Sequence, residues 1–129
     1  MGAGKSVVGK SLSTILNYSF IDTDDIIEQN ENVTISTLFK TKGEDYFRDC
    51  EINLSKTFTT LERTVISTGG GFPLNKNIPK MITFGHVVFL NASIKTIINR
   101  ISTTSNRPLN NQNLEELYNR RLPLYKAVS

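Results

Sequence analysis

The feature that most constrains this chain is a glycine-rich stretch at its start that runs directly into a helical pattern. Gly4, Lys5 and Ser6 match the last three positions of the motif G-x-x-x-x-G-K-[ST]. In that motif, glycines let backbone N–H groups surround phosphate oxygens, the lysine reaches the β- and γ-phosphates, and the hydroxyl binds Mg²⁺. The helix that follows contributes the positive end of its dipole. The predicted nucleotide site comprises Gly2, Ala3, Gly4, Lys5, Ser6 and Val7.

The motif is only half present, because its first glycine would lie three residues before Met1. Two other interpretations of the stretch are a flexible terminus and an N-myristoylation signal, M-G-x-x-x-[ST]. A single acyl chain binds membranes weakly without a second signal, and no block of basic residues follows to supply one. We therefore treat acylation as a chance match and let the downstream residues decide between the remaining two.

Composition favours one small domain over residues 1–129, since 38% of the residues are hydrophobic and 21% are charged. No stretch approaches the roughly 20 apolar residues that span a bilayer. One cysteine, Cys50, excludes an internal disulfide, so we expect a cytoplasmic protein. The net charge of +3 is spread along the chain without aromatic platforms, so neither nucleic acid nor a membrane is an expected partner.

Helical and strand-like patterns alternate along the chain, which predicts a parallel sheet with helices on both faces, a three-layer α/β/α arrangement. The predicted strands cover residues 18–21, 64–68 and 86–90. The first predicted helix follows Lys5 and ends near Asn17. The next cover 34–42, with Gly43 as the C-cap, 44–59 and 75–84, and helices begin again after the caps Ser93 and Asn113. The last of them is expected to end near Pro123.

Three carboxylates, Asp22, Asp24 and Asp25, follow the first predicted strand. Open α/β sheets bind ligands at the carboxyl ends of their strands. We expect Asp25 to cap the next helix with Glu28 completing a capping box. Alternate residues of an extended segment share a side, so Asp22 and Asp24 are expected to face the site together.

Further along, Arg48 and Glu51 form an i, i+3 pair on a predicted helix, either a surface pair or an arginine aimed at an anion. Cys50, on the apolar stripe, is expected to be a buried and inert thiol. A predicted strand ends in Gly69-Gly70-Gly71. Three glycines in a row weaken a chain, so they indicate close backbone approach to a ligand. Residues 102–113 are polar and contain Arg107, which predicts a lid loop.

Phosphate loop, aspartates, arginines and glycine triplet together indicate phosphoryl transfer from a nucleotide to a small anionic acceptor. In this order the motifs resemble the shikimate kinase family over nearly the whole chain. The matching stretches are GAGKS, FIDTD, GEDYFRDCE, STGGG, RPL and RLPLY. The resemblance implies a P-loop kinase fold, ATP with Mg²⁺, a monomer, and phosphorylation of the 3-hydroxyl of shikimate in aromatic amino-acid biosynthesis.

The resemblance also implies a role for each matching residue. Lys5 would hold the transferring phosphate. Ser6 would ligate Mg²⁺, and Asp22 would reach the metal through water. Asp24 would orient or deprotonate the acceptor hydroxyl. The shikimate-binding residues would be Asp24, Arg48, Gly70, Gly71 and Arg121. Arg107 would neutralise phosphate charge from the lid, and Arg100 would stack on adenine.

One departure from the family pattern is Asn110, where RPL is usually followed by an apolar residue; it should alter lid packing and spare Arg107. Two alternatives stay open: another small P-loop kinase, such as a gluconate kinase, and an inactive truncated fragment. The family fold has a strand before the phosphate loop and a strand and helix at the C-terminal end, and we expect both to be missing. The chain from Met1, expressed alone, is therefore predicted to be unstable or inactive.

Overall fold

The computed structural model describes residues 2–75, 85–104 and 111–129. In chain order the elements are helix α1 (Lys5–Leu16), strand β1 (Ser19–Asp22), helices α2 (Thr23–Glu31) and α3 (Ile35–Ser55), strand β2 (Thr64–Ser67), and helices α4 (Ile94–Thr104) and α5 (Asn111–Val128). Short 3₁₀ helices cover Lys56–Thr60 and Phe72–Leu74. The predicted helix at 75–84 and Arg107 lie outside the described residues, apart from Asn75.

The two strands form a parallel sheet in which Ser19 pairs with Thr64 and Asp22 pairs with Ser67. This confirms the predicted parallel arrangement, in which a helical crossover returns the chain to the same edge of the sheet. The register aligns the ends of both strands, so the residues that follow Asp22 and Ser67 emerge side by side. That edge carries the candidate site.

Helix α1 packs on the sheet through small residues. A Cβ at Gly9 would lie 2.9 Å from the Phe20 ring, and Ser13 is the buried residue of this helix. The apolar positions Val8 and Ile15 are 45% and 80% exposed. The periodicity therefore located the helix correctly, and Asn17 ends it in the left-handed conformation, yet its apolar face has no cover among the described residues.

The apolar core lies between α2 and α3, where Ile27, Leu38 and Phe47 are nearly inaccessible to solvent. Burying side chains of this size stabilises a fold by roughly 1.5 to 3 kcal/mol each. Helix α3 is interrupted at Gly43, whose φ of 84° suits glycine, which confirms the predicted helix end there. Cys50 is half-buried beside this core and not fully buried as predicted.

The predicted cap of α2 is wrong. The N-cap is Asp22, whose Oδ1 accepts a hydrogen bond from the Asp24 N–H at 3.1 Å. Asp25 lies inside the first turn. Glu28 accepts from the Ile35 N–H at 2.7 Å, so it joins α2 to α3 and completes no capping box. The helix starts three residues earlier than expected because the strand ends directly in a capping aspartate.

Two later predictions also need correction. Residues 86–90 form no strand, because none of the described strands lies beside them to complete a ladder. Helix α5 begins at Asn111, before the predicted cap Asn113, and continues through Pro123. Proline removes one helical hydrogen bond, and at this exposed position water can satisfy the released carbonyl. The cap Ser93 is confirmed, since its Oγ accepts from the Thr96 N–H.

Candidate active site

The glycine-rich stretch forms a tight turn in front of α1. Gly2 and Gly4 have φ values of 70° and 87°, which L side chains rarely adopt. Gly4 is the N-cap of α1 and offers no side chain, so no capping group occupies the N–H donors of the first turn. Lys5 is the first helical residue. The result is a helix N-terminus with available backbone donors and an adjacent cation, which suits a phosphate group.

Helix α4 supports this turn from the outside. Arg100 Nη1 donates to the carbonyl oxygens of Gly2 and Ala3, both at 3.2 Å. A Cβ at Gly2 would lie 3.1 Å from Ile97 and from Ile101, so only glycine fits against α4 without displacing it. Arg100 therefore lies beside the predicted nucleotide site and holds its backbone.

Beside the phosphate loop, three hydroxyl and carboxylate groups meet at the end of the sheet. Ser6 Oγ donates to Asp22 Oδ2 at 2.6 Å and lies 3.5 Å from Ser67 Oγ. These hard oxygen donors fit Mg²⁺, which is usually bound by one or two carboxylates together with substrate phosphates and water. Among the described residues no group of three His, Cys, Asp or Glu could hold a metal by itself. The donors therefore fit an ion that arrives with a phosphate ligand.

Asp24 lies in the first turn of α2, and its Oδ1 is buried without a hydrogen-bond partner among the described residues. Burial raises the pKa of this carboxyl, the charge of Asp22 raises it further, and Lys5 opposes the rise. A buried, unpaired acceptor with a raised pKa can take a proton or a hydroxyl hydrogen from a ligand. The predicted proximity of Asp22 and Asp24 is present, although the helical turn brings them together and not an extended segment.

The glycine triplet begins against this aspartate. The Gly69 N–H donates to Thr23 Oγ1 at 3.2 Å, and Thr23 is fully buried. A Cβ at Gly69 would lie 2.8 Å from Asp24 Oδ1 and 3.2 Å from Glu51 Oε1. The absence of a side chain at Gly69 therefore keeps the space in front of both carboxylates open.

Arg48 is held between two carboxylates of its own helix. Its Nη1 donates to Glu51 Oε2 and its Nη2 to Glu44 Oε1, each at 2.7 Å. Glu51 is fully buried, and its other oxygen, Oε1, has no partner among the described residues. Burial raises the pKa of Glu51 against the opposing effect of Arg48. Burial also lowers the pKa of Arg48, but the hydrogen bonds that Arg48 donates to Glu51 and Glu44 outweigh this effect and raise that pKa.

The second half of the triplet lies against Arg48. A Cβ at Gly71 would collide with the Arg48 guanidinium, so glycine is required for the contact. The N–H groups of Gly70 and Gly71 donate no hydrogen bond within the part of the chain that the structure describes. Two unpaired backbone donors next to an ordered guanidinium form a site for a carboxylate.

Helix α5 closes the other side. Arg121 Nε is buried without a partner among the described residues, and the Tyr125 hydroxyl donates to the Gly70 carbonyl. Lys5, Gly70, Arg121 and Tyr125 line one cavity of about 150 Å³. Its wall is otherwise mostly apolar, with side chains from residues 87–90 and from α4 and α5. The predicted phosphate-binding and acid-binding groups therefore border a shared space.

The structure thus brings most of the predicted residues to one edge of the sheet. Val7 is the exception among the described ones, because its side chain is 73% exposed on α1 and only its backbone can serve the phosphate loop. Sequence reasoning missed three contributors: Thr23, Ser67 and Tyr125. The pairing of Ser67 with Asp22 was available from aligned strand ends, whereas the contacts of Thr23 and Tyr125 depend on tertiary geometry alone.

Comparison with known proteins gives a consistent result. A family model described as "Shikimate kinase" matches residues 1–129. A protein named "Shikimate kinase" from Clostridium botulinum (strain Langeland) is 41% identical, over 98% of this chain and 78% of its own length. The crystal structures of two such proteins superpose closely. Shikimate kinase from Acinetobacter baumannii in complex with shikimate gives a TM-score of 0.92 at 32% identity, covering 100% of this chain and 75% of that one. Shikimate kinase from Bacteroides thetaiotaomicron gives 0.89 at 34% identity, covering 98% and 77%.

Proposed function

Because this chain belongs to the shikimate kinase family, we propose that it transfers the γ-phosphoryl group of ATP to the 3-hydroxyl of shikimate. The observation that carries the proposal is the convergence of separate elements on the glycine triplet. The α1 N-terminus brings Lys5, α2 brings Asp24, α3 brings Arg48, and α5 brings Arg121. The reaction needs a phosphate site, a protein carboxylate for the acceptor hydroxyl, and arginines for the acceptor's own carboxylate. Here these groups surround one space.

On the nucleotide side, the first turn of α1 and Lys5 bind the phosphates. The helix dipole and the unpaired N–H groups favour the negative charge that spreads over the phosphoryl oxygens during transfer. The stacking of Arg100 on adenine stays a prediction, and its bonds to the Gly2 and Ala3 carbonyls support a second role in holding the loop. Arg107, predicted to reach the phosphates from the lid, stays a prediction.

Ser6 and Asp22 are the residues that would hold Mg²⁺, because their oxygens are already 2.6 Å apart at the phosphate loop. When bound, the ion would neutralise phosphate charge. The Ser6 hydroxyl donates its hydrogen to Asp22, which leaves the lone pairs of Ser6 Oγ available to the ion. Replacing Ser6 by alanine should therefore raise the Mg²⁺ concentration required for half-maximal activity while leaving the shikimate KM unchanged.

On the acceptor side, Asp24 binds the hydroxyl that becomes phosphorylated. Burial and the charge of Asp22 raise the pKa of this carboxyl, which makes its carboxylate a stronger base towards that hydroxyl. Arg48, Arg121 and the N–H groups of Gly70 and Gly71 bind the carboxylate of the acceptor. A planar guanidinium can bind a carboxylate through two parallel hydrogen bonds, which fixes the orientation of the ring as well as its affinity.

We further propose that the protein works as a cytoplasmic monomer with neither nucleic acid nor a membrane as partner. The basic residues are scattered along the chain, which supports the absence of a nucleic-acid partner. No described helix is both long and apolar enough to cross a bilayer. Analytical ultracentrifugation of the purified protein measures its oligomeric state directly.

The test of the main proposal is an acceptor comparison. The full-length protein is incubated with ATP and Mg²⁺ and either shikimate or gluconate, ADP release is followed, and the product is examined by ³¹P NMR. We expect ADP release with shikimate and not with gluconate, and a phosphate ester at the 3-position of shikimate. Turnover with gluconate alone would identify another small P-loop kinase.

A binding measurement separates an inactive fragment from a kinase that lacks only its acceptor. Ligand at 100 times its Kd should stabilise a folded binder by about 2.7 kcal/mol. We expect ATP with Mg²⁺ to raise the thermal unfolding temperature accordingly. No shift with ATP and no turnover with either acceptor would contradict the proposed function for this chain and would support the alternative of an inactive fragment.

A further inference from the structure

The peptide in the middle of the glycine triplet accepts a hydrogen bond that the proposed roles do not use. The Gly69 N–H donates to Thr23, and the Gly69 carbonyl accepts from the Phe72 N–H at 3.1 Å, which closes a four-residue turn around the Gly70–Gly71 peptide. Within the described residues, the only hydrogen bond that reaches the peptide unit between Gly70 and Gly71 comes from the Tyr125 hydroxyl. A turn of this kind forms with either orientation of its central peptide, and glycine permits both, so the bond from Tyr125 selects one of them.

The orientation matters because the carbonyl of Gly70 and the N–H of Gly71 belong to one planar trans peptide and point in opposite directions. Tyr125 holds the carbonyl towards α5. The Gly71 N–H is thereby turned away from α5, and it lies in the residue that contacts the Arg48 guanidinium. Rotating this peptide unit would present the Gly70 carbonyl oxygen to the ligand in place of the Gly71 N–H, and a carbonyl oxygen repels a carboxylate.

The tyrosine also sets the position of Arg121. Residues 121 and 125 are one helical turn apart and share a face of α5. The Tyr125 ring packs against Phe89 with centroids 5.2 Å apart, and its hydroxyl joins α5 to the triplet. One hydrogen bond and one helical turn therefore connect Arg121 to the glycine triplet.

We propose that Tyr125 is a positioning residue for acceptor binding, whose hydroxyl holds the Gly70–Gly71 peptide so that its N–H faces the acceptor carboxylate. The inference rests on the proposed function, because it needs the carboxylate of shikimate to lie at Gly70, Gly71 and Arg121. Tyr125 does not touch the reacting atoms. Its loss is expected to affect acceptor binding more than the chemical step.

The test is Tyr125→Phe in the full-length protein, which removes one hydroxyl and keeps the ring. We expect the KM and Kd for shikimate to rise about fivefold to tenfold, in line with one hydrogen bond. The KM for ATP should stay within twofold and kcat should fall less than the shikimate KM rises. Tyr118→Phe is the matched control, since Tyr118 lines the same cavity and its hydroxyl makes no hydrogen bond within the described residues.

A second variant and a spectrum separate positioning from simple stabilisation of α5. Phe89→Leu removes ring packing and keeps the hydroxyl, so it should lower the unfolding temperature without a selective change in shikimate KM. With [¹⁵N]glycine labelling, the Gly71 amide resonance should shift in Tyr125→Phe and not in Tyr118→Phe.

An unchanged Gly71 resonance, or a shikimate KM within twofold of the Tyr118→Phe value, would overturn the inference even if wild-type turnover is normal. Failure of the wild-type protein to bind shikimate would instead count against the proposed function itself. If Tyr125→Phe does not fold, the Phe89→Leu variant decides: a selective rise in its shikimate KM would show that packing, and not the hydroxyl, sets the site.

Discussion

The Arg48–Glu51 pair allows a prediction in which stability and binding separate. Glu51 is fully buried, and one of its oxygens already lacks a partner among the described residues. Arg48→Met removes the only hydrogen-bond donor to the other oxygen that the described residues supply. Leaving a buried charge without its partner costs about 3 to 5 kcal/mol, so the free energy of unfolding at pH 7.5 should fall by that amount.

The pKa of Glu51 determines how this loss of stability depends on pH. Loss of the arginine raises the Glu51 pKa beyond the rise that burial already causes. A group with a raised pKa in the folded state stabilises the fold at low pH and loses that contribution as the pH rises through the folded pKa. The difference between variant and wild type should therefore be largest at neutral pH. It should shrink as the pH falls towards the ordinary glutamate value of 4.5.

Urea unfolding at pH 7.5 and at pH 5 measures both effects. Arg48→Met combined with Glu51→Leu should recover most of the lost stability, because an apolar pair can replace a buried ion pair at little cost. The double variant should nevertheless bind shikimate more weakly than the wild type, because it lacks Arg48. Glu44→Gln is the control, since Glu44 is 60% exposed and its pair contributes less than about 1 kcal/mol. A loss below about 1 kcal/mol in Arg48→Met, or one independent of pH, would refute the reasoning.

Three further predictions concern the reacting groups. Lys5→Met should lower kcat about 10²- to 10³-fold in a coupled ADP assay, since one preorganised cation at the phosphates is lost; a fall below tenfold would contradict this. Asp24→Asn should lower kcat about 10²- to 10⁴-fold. It should also raise the unfolding temperature at neutral pH, because it removes a carboxylate whose pKa is raised by burial; a lower unfolding temperature would count against that burial cost. Gly69→Ala should raise the shikimate KM by crowding the Asp24 and Glu51 carboxylates, whereas Gly85→Ala, with open space around it, should not; equal effects would show that the added methyl group does not act through the site.

Local chemistry decided which features the sequence could predict. Gly43, Asn17 and Ser93 ended or began helices as predicted, because left-handed conformation and capping depend on the residue itself. The capping aspartate of α2 was misplaced, because Asp22 and Asp25 are equally good caps. Only the length of β1 decides between them, and strand length depends on pairing with β2.

The candidate site was predictable where one residue carries the function and unpredictable where geometry does. Lys5, Asp24, Arg48 and Arg121 have charged side chains in motifs, and the structure brings all four to the glycine triplet. Tyr125 follows Arg121 in the sequence by one turn, yet its contact with Gly70 requires α5 to continue past Pro123. Proline reads as a helix end in sequence, so the tyrosine was assigned no place on the helix.

The edge of β2 that has no partner among the described strands has a consequence for handling the protein. In the described part of the chain β2 pairs with β1 alone, so the N–H and C=O groups along its other edge have no strand partner there. Unpaired edges can recruit extended segments of other molecules into intermolecular sheets. The exposed apolar side chains of α1, such as Ile15, lie on the neighbouring element and add adhesive surface. We expect scattering at high protein concentration to rise with salt, and dilute, low-salt samples to preserve the dispersed protein.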